Sequence, residues 1–160
     1  MKPLKNILTS LLALSLLASA SLYAQALHIE DPYVRAVPPG APATAAFMGL
    51  HNPSNQDLAI IDASSPVAEV VELHTHTDVE GVMQMRRIDK IVIPADGTTE
   101  LKPGGLHLML IGLQQPLSLD SQVEVTLTLD DGSLIELSMP VRRVQRPMQG
   151  GGQHQHGSHH

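Results

Sequence analysis

The sequence predicts an all-β domain, a Greek-key β-sandwich of about eight short strands. Three observations predict it. Gln122–Leu129 alternates with period two, placing Val123, Val125, Leu127 and Leu129 on one face and Glu124, Thr126 and Thr128 on the other. Turn clusters cut the chain at short intervals, with VPPGAP from Val37, NPSNQD from Asn52, KPGG from Lys102 and DDG from Asp130. No stretch of helical length with a 3.6-residue period follows the first 26 residues.

Composition narrows the class further. Of 160 residues, 42% are apolar, yet the aromatic set is only Phe47, Tyr23 and Tyr33. The core therefore rests on Val, Ile, Leu and Met. So few aromatics exclude a base-stacking platform for nucleic acid. The formal charge is −6, and removing a leader that holds Lys2 and Lys5 leaves eight basic against sixteen acidic residues, −8. Such a surface repels phosphate and attracts cations and basic partners. There is no cysteine. Disulfides, thiolate catalysis, iron–sulfur clusters and the cysteine-containing blue-copper site are all excluded, so a metal here has only His, Met and carboxylate ligands.

Residues 1–26 read as a Sec-type signal peptide. Lys2 and Lys5 precede an apolar run from Ile7 to Ala20, and Ala24-Gln25-Ala26 is a small-x-small cleavage pattern. The competing reading, a membrane anchor, fits less well because the run is short and interrupted by serine. Cleavage after Ala26 implies a periplasmic protein with no stable membrane insertion once the leader is gone. Residues 27–144 form the expected β-sandwich domain and residues 145–160 a low-complexity tail.

Taken in order, Leu27–Val37 is a strand interrupted by Pro32, hence an edge or a bulge. Thr44–His51, Leu58–Ala63 and Ala68–His74 are the next strands, and polar Thr75–Gly81 reads as a loop or hairpin end. Val82–Ile93 reads as one long strand, followed by a hairpin turn at Pro94–Thr98 and a short strand at Thr99–Leu101. Leu106–Leu113 is a compact apolar strand. Gln122–Leu129 and Ser133–Val141 form a hairpin about Asp130-Asp131-Gly132, with Ile135, Leu137, Met139 and Val141 on one face of the second strand.

Chemistry concentrates between His74 and Met109. Ten residues separate His74 from Met85, twenty-one separate Met85 from His107, and one separates His107 from Met109. Side chains two apart on a strand share a face, so His107 projects with Met109, Met83 with Met85, and His74 with His76 if the strand continues. A core role competes for each residue alone: Met109 within LHLMLIGL reads as packing, His107 is balanced between a satisfied core histidine and a ligand, and His74 and His76 read as surface. Two His–Met clusters in one cysteine-free exported chain shift that balance. Neutral imidazole and thioether together favour Cu(I) over Zn²⁺ and strongly over Mg²⁺ or Ca²⁺. Four protein ligands leave no open position, which suits carrying a metal better than catalysis.

In that spacing the chain resembles the periplasmic copper chaperone family PCu(A)C, whose hallmark is His, ten residues, Met, twenty-one residues, His, one residue, Met. The flanking segments SSPVAEVVELH, GVMQMR, LKPGGLHLML and DPYVRAVPPGAPATAAFMGLHN are similar too, and the resemblance runs from about Ile29 to Val141. It implies a cupredoxin-like Greek-key sandwich carrying Cu(I) near one end on His74, Met85, His107 and Met109. Many members have Met directly after the first His, where this chain has Thr75. Met83 and His76 are extra donors, expected as alternates or as supports for the ligands. The resemblance also implies a recipient, the copper centre of a haem–copper respiratory oxidase subunit, reached directly or through a thioredoxin-fold copper protein.

The tail carries Met148, His154, His156, His159 and His160. It reads as a secondary site suited to Cu(II), since imidazole accepts that ion readily. The rival reading, a tag remnant, rests on the terminal GSHH and is opposed by the irregular His spacing. The expected function is thus a copper chaperone and not an enzyme. Copper buffering without a dedicated client is the alternative. A copper oxidase or oxygenase built on an N-terminal histidine would need cleavage after Leu27 to make His28 the first residue.

Overall fold

The structure, a computed structural model, describes residues 27–144. These form ten strands: β1 (His28–Arg35), β2 (Ala43–Asn52), β3 (Leu58–Ser64), β4 (Ala68–Val79), β5 (Val82–Arg87), β6 (Ile91–Ile93), β7 (Gly97–Leu101), β8 (His107–Leu113), β9 (Gln122–Leu129) and β10 (Leu134–Arg142). No helix occurs among the described residues. The strands join in the order β5-β4-β8-β2-β1-β10-β9-β3-β6, with β7 paired to β2. Ala63 of β3 also meets Val71 of β4. That pairing closes seven of the strands, from β4 round to β3, into a barrel-like sheet, so the layers of the expected cupredoxin-like sandwich are continuous.

The core follows from period-two alternation. Val123, Val125, Leu127 and Leu129 of β9 all point inward, as do Leu108 and Leu110 of β8, Leu73 of β4 and Ala46, Met48 and Leu50 of β2. Met139 and Val141 of β10 are fully buried, while Ile135 and Leu137 pack at the margin. Aliphatic side chains thus fill the interior without aromatic help. Phe47, the single phenylalanine, is buried on the outer face of β2.

One expectation narrows and three change. Pro32 marks a bulge and not an edge, because β1 lies between β2 and β10 and its register with β2 shifts between Glu30 and Tyr33. β4 does not end at His74 but runs to Val79, because Thr75–Val79 pairs with Val82–Arg86 across a turn at Glu80-Gly81. Val82–Ile93 is two strands, not one. The chain breaks after Arg87, the Ile88 amide donates back to the Leu73 carbonyl at 2.9 Å, and β6 then pairs with β3. The Pro94–Thr98 segment is not a hairpin turn either, since β6 pairs with β3 and β7 with β2. It is a crossing between distant parts of the sheet.

One buried polar side chain holds that crossing. Asn52, at the end of β2, is fully buried. Its Nδ2 donates to the carbonyls of Gln56 (2.7 Å) and Ile93 (3.1 Å). Its Oδ1 accepts from the Ser54 amide (3.0 Å) and hydroxyl (2.7 Å). It therefore stitches the β2–β3 turn to the end of β6. Removing it leaves several of these groups without partners, each at a desolvation cost. Asn52→Ala is expected to lower the unfolding free energy by roughly 2–3 kcal/mol in urea titration. A loss under about 0.5 kcal/mol, typical of a surface change, would mean water replaces the side chain.

Candidate metal centre

Four neighbouring strands build the site on the outer face of the sheet. On β4, Leu73 turns inward while Glu72, His74 and His76 turn outward. On β8, Leu108 and Leu110 turn inward while His107 and Met109 turn outward. The β4–β8 register sets His74 directly opposite His107 and Glu72 opposite Met109. The β4–β5 register sets His76 opposite Met85 and Asp78 opposite Met83. On β2, Ala45 lies opposite Met109, and Phe47 approaches His107 with ring centroids 6.2 Å apart. All four residues of the His–Met pattern are strand residues on one face, with His107 the first residue of β8.

A pocket of about 210 Å³ opens on that face, lined by Met85, His107, Met109 and His76, with Arg35, Ala45, Phe47, Pro103 and Gly104 around them. Three of the four pattern residues therefore share one cavity. His74 does not line it but stands beside it, its ring centroid 5.7 Å from that of His107. Met83 is not part of the lining; it is 55% exposed, two residues nearer the hairpin tip. Met148, His154, His156, His159 and His160, like the residues 1–26 leader with its cleavage point at Ala26, lie outside the described residues.

Hydrogen bonds leave the histidines ready to act as ligands. His107 is 2% exposed, and its Nδ1 lies 3.0 Å from the Gly105 carbonyl. A carbonyl only accepts, so Nδ1 carries the proton and the Nε2 lone pair stays free. His74 is oriented the other way. Its Nε2 donates to Glu72 Oε2 at 2.8 Å, and its Nδ1 is buried with no partner. A buried unpaired nitrogen is costly unless something binds it, and a metal ion is such a partner. Glu72 is itself braced by Arg87 at 3.4 Å. The His74 hydrogen bond, assisted by Arg87, holds the Glu72 carboxyl below its usual value. A carboxylate behind a histidine raises ligand basicity and fixes ring orientation.

Sequence reading missed Glu72, Gly105, Arg35 and Phe47 as parts of this environment. Glu72 had a signal: it sits two residues before His74 on an alternating strand. Gly105 lies only two residues before His107 but acts through its backbone carbonyl, which residue type does not signal. Arg35 and Phe47 had no signal, because strands distant in sequence bring them to the pocket. Among the described residues, no group of three or more His, Cys, Asp or Glu side chains is placed to hold a metal. A metal bound here has to draw on thioethers, which selects a soft ion.

Burial pushes the His107 imidazole below its ordinary value of 6.5, and nearby His76, His74 and Arg35 act in the same direction against the Gly105 hydrogen bond. The neutral, ligand-competent form is thereby favoured. The unfolded chain then binds more protons than the fold below about pH 6.5, so this contribution to stability is present above that pH and is lost as pH falls through it. The metal-free protein is expected to lose more stability between about pH 7.5 and about pH 5.5 than His107→Gln does, in urea titrations at both pH values. Equal losses in the two proteins would remove His107 from the acid response.

The LpqE-like family, described as "Putative lipoprotein LpqE-like", matches residues 27–141. The "Putative lipoprotein Lxx21020" of Leifsonia xyli subsp. xyli (strain CTCB07) is 33% identical over 120 residues, 74% of this chain and 71% of that protein. The "Uncharacterized protein RP573" of Rickettsia prowazekii (strain Madrid E) is 25% identical over 112 residues, 68% of this chain and 62% of that protein. Among solved structures, CuI-DR1885 from Deinococcus radiodurans is 35% identical, with a TM-score of 0.63, covering 78% of this chain and 83% of that one. The copper-bound PCuAC domain from PmoF2 has the same TM-score at 21% identity, covers 74% of this chain and 93% of that one, and supports the fold alone. The matched span takes in every strand from β1 to β9 and most of β10, and with it all four residues of the His–Met pattern: the chain belongs to the LpqE-like family, the family of the PCuAC copper-binding domains.

Proposed function

We propose that this domain is an exported Cu(I) carrier that binds the ion through His74, Met85, His107 and Met109 and delivers it to a copper centre of a respiratory haem–copper oxidase, directly or through a thioredoxin-fold copper protein. The observation that carries the reading is the shared outer face on which the β4–β8 register sets His74 against His107, with Met109 and Met85 bordering the same pocket. The donor set is neutral and soft, so it suits a monovalent copper ion without a buried charge mismatch. Met85 is 46% exposed. A partner's thiolates can therefore approach from solvent and displace the ligands one at a time, beginning with this thioether. The relative DR1885 was solved with Cu(I), which supports the same cargo here. Among the described residues no helix is long and apolar enough to cross a membrane.

His107→Ala and Met109→Ala are each expected to weaken Cu(I) binding by about tenfold or more, about 1.4 kcal/mol, in competition against a chromophoric chelator. Equal affinity in wild type and both variants would end the assignment.

Delivery and buffering make different demands on the cell. In a deletion strain, delivery is expected to show as loss of oxidase activity at limiting copper. Sensitivity confined to excess copper would instead mark a buffer without a dedicated client.

A further inference from the structure

We propose that His76 is a fifth copper donor, sharing one coordination position with His74 beside His107, Met85 and Met109. This rests on the Cu(I) reading above and extends it to a residue outside the four-residue pattern. The extension of β4 past His74 is what makes it possible, because His76 then shares the face of His74. His76, not His74, lies directly opposite Met85; His74 lies opposite Arg87. The His76 ring is 5.2 Å from that of His107, against 5.7 Å for His74. His76 also lines the pocket with His107, Met85 and Met109, and His74 does not.

The free lone pairs follow the same division. His76 Nδ1 lies 3.4 Å from the Gly105 carbonyl, the same oxygen that His107 Nδ1 meets at 3.0 Å. One carbonyl thus turns both rings, and each keeps its Nε2 lone pair for a metal. His74 is held differently, with Nε2 on Glu72 and Nδ1 buried and unpaired. The metal-free site therefore presents His76 toward the thioethers while His74 waits beside His107. Cu(I) has a closed d shell and little geometric preference, so exchange between two adjacent imidazoles needs no large rearrangement. Two imidazoles for one position give copper a stepwise route in and out, since one bond can form before the other breaks.

Exchange predicts a particular pattern of losses. With either imidazole able to fill the position, His74→Ala or His76→Ala alone loses part of the affinity, and the double variant loses disproportionately more. Cu(I) competition titrations on the full chain, with thermal unfolding of each variant to confirm folding, are expected to place His74→Ala/His76→Ala at least about tenfold weaker than His74→Ala. A gap of less than about tenfold overturns the proposal. His107→Ala and Met109→Ala run alongside: if neither loses affinity, the carrier reading itself fails, independently of His76. A measurement without variants completes the test. Ring-nitrogen NMR of the wild type with one equivalent of Cu(I) is expected to shift His76 Nε2 together with His107 Nε2. A shift at His107 with none at His76 overturns the proposal.

Discussion

The β4–β8 register is the constraint on which the rest of the site depends. Leu73 and Leu108 face each other in the core, and His74 and His107 face each other one residue along on the opposite side. The same backbone hydrogen bonds thus specify the packing and the donor geometry. A slip of one residue would carry imidazoles into an aliphatic interior and leucines into water. Each leucine buried in a core contributes roughly 1.5–3 kcal/mol relative to exposure, so the register that forms the site is protected by the core behind it. This separates two roles often in conflict: the interior secures stability, and the outer face is free to carry exchangeable ligands.

The site is prepared by acceptors that contribute no ligand themselves. Gly105 offers a carbonyl from the Lys102–Leu106 turn, where the Gly105 amide donates to the Lys102 carbonyl at 3.0 Å. Gly104 within it has φ +81°, a conformation glycine adopts without the penalty other residues face. Glu72 offers a carboxylate steadied by Arg87. Between them they set which nitrogen of His107 and of His74 stays unprotonated. Burial adds to this at His107 by disfavouring the imidazolium. Imidazole has to be neutral to bind a metal; at His107 burial outweighs the opposing Gly105 hydrogen bond and favours that form.

Much of this was legible in the chain. The alternation of Gln122–Leu129 and the Asp130-Asp131-Gly132 turn read directly as a hairpin, and β9 and β10 are that hairpin. The side-by-side projection of His107 and Met109 also follows from period two, with Leu108 and Leu110 taking the core. The errors cluster where tertiary pairing overrides local polarity. Thr75–Val79 is polar enough to read as loop, yet it is strand because β5 lies beside it. Val82–Ile93 reads as one strand, yet its two halves pair with β4 and β3 on different parts of the sheet. Neither fact is encoded within the segment itself.

By itself, then, the sequence determined an all-β fold, a cysteine-free chain that leaves imidazole and thioether as the soft donors, and the spacing that marks the family. These are local properties: side-chain alternation, turn chemistry and ligand type depend on residues close together in the chain. Only the tertiary structure decided which donors meet. It set His74 against His107 and His76 against Met85, brought Glu72 behind one imidazole and Gly105 behind two, and left Met83 at the exposed hairpin edge. Those relations arise from strand register and from the closure of the sheet between β3 and β4, which are fixed by burial of the whole core and by no single segment of it.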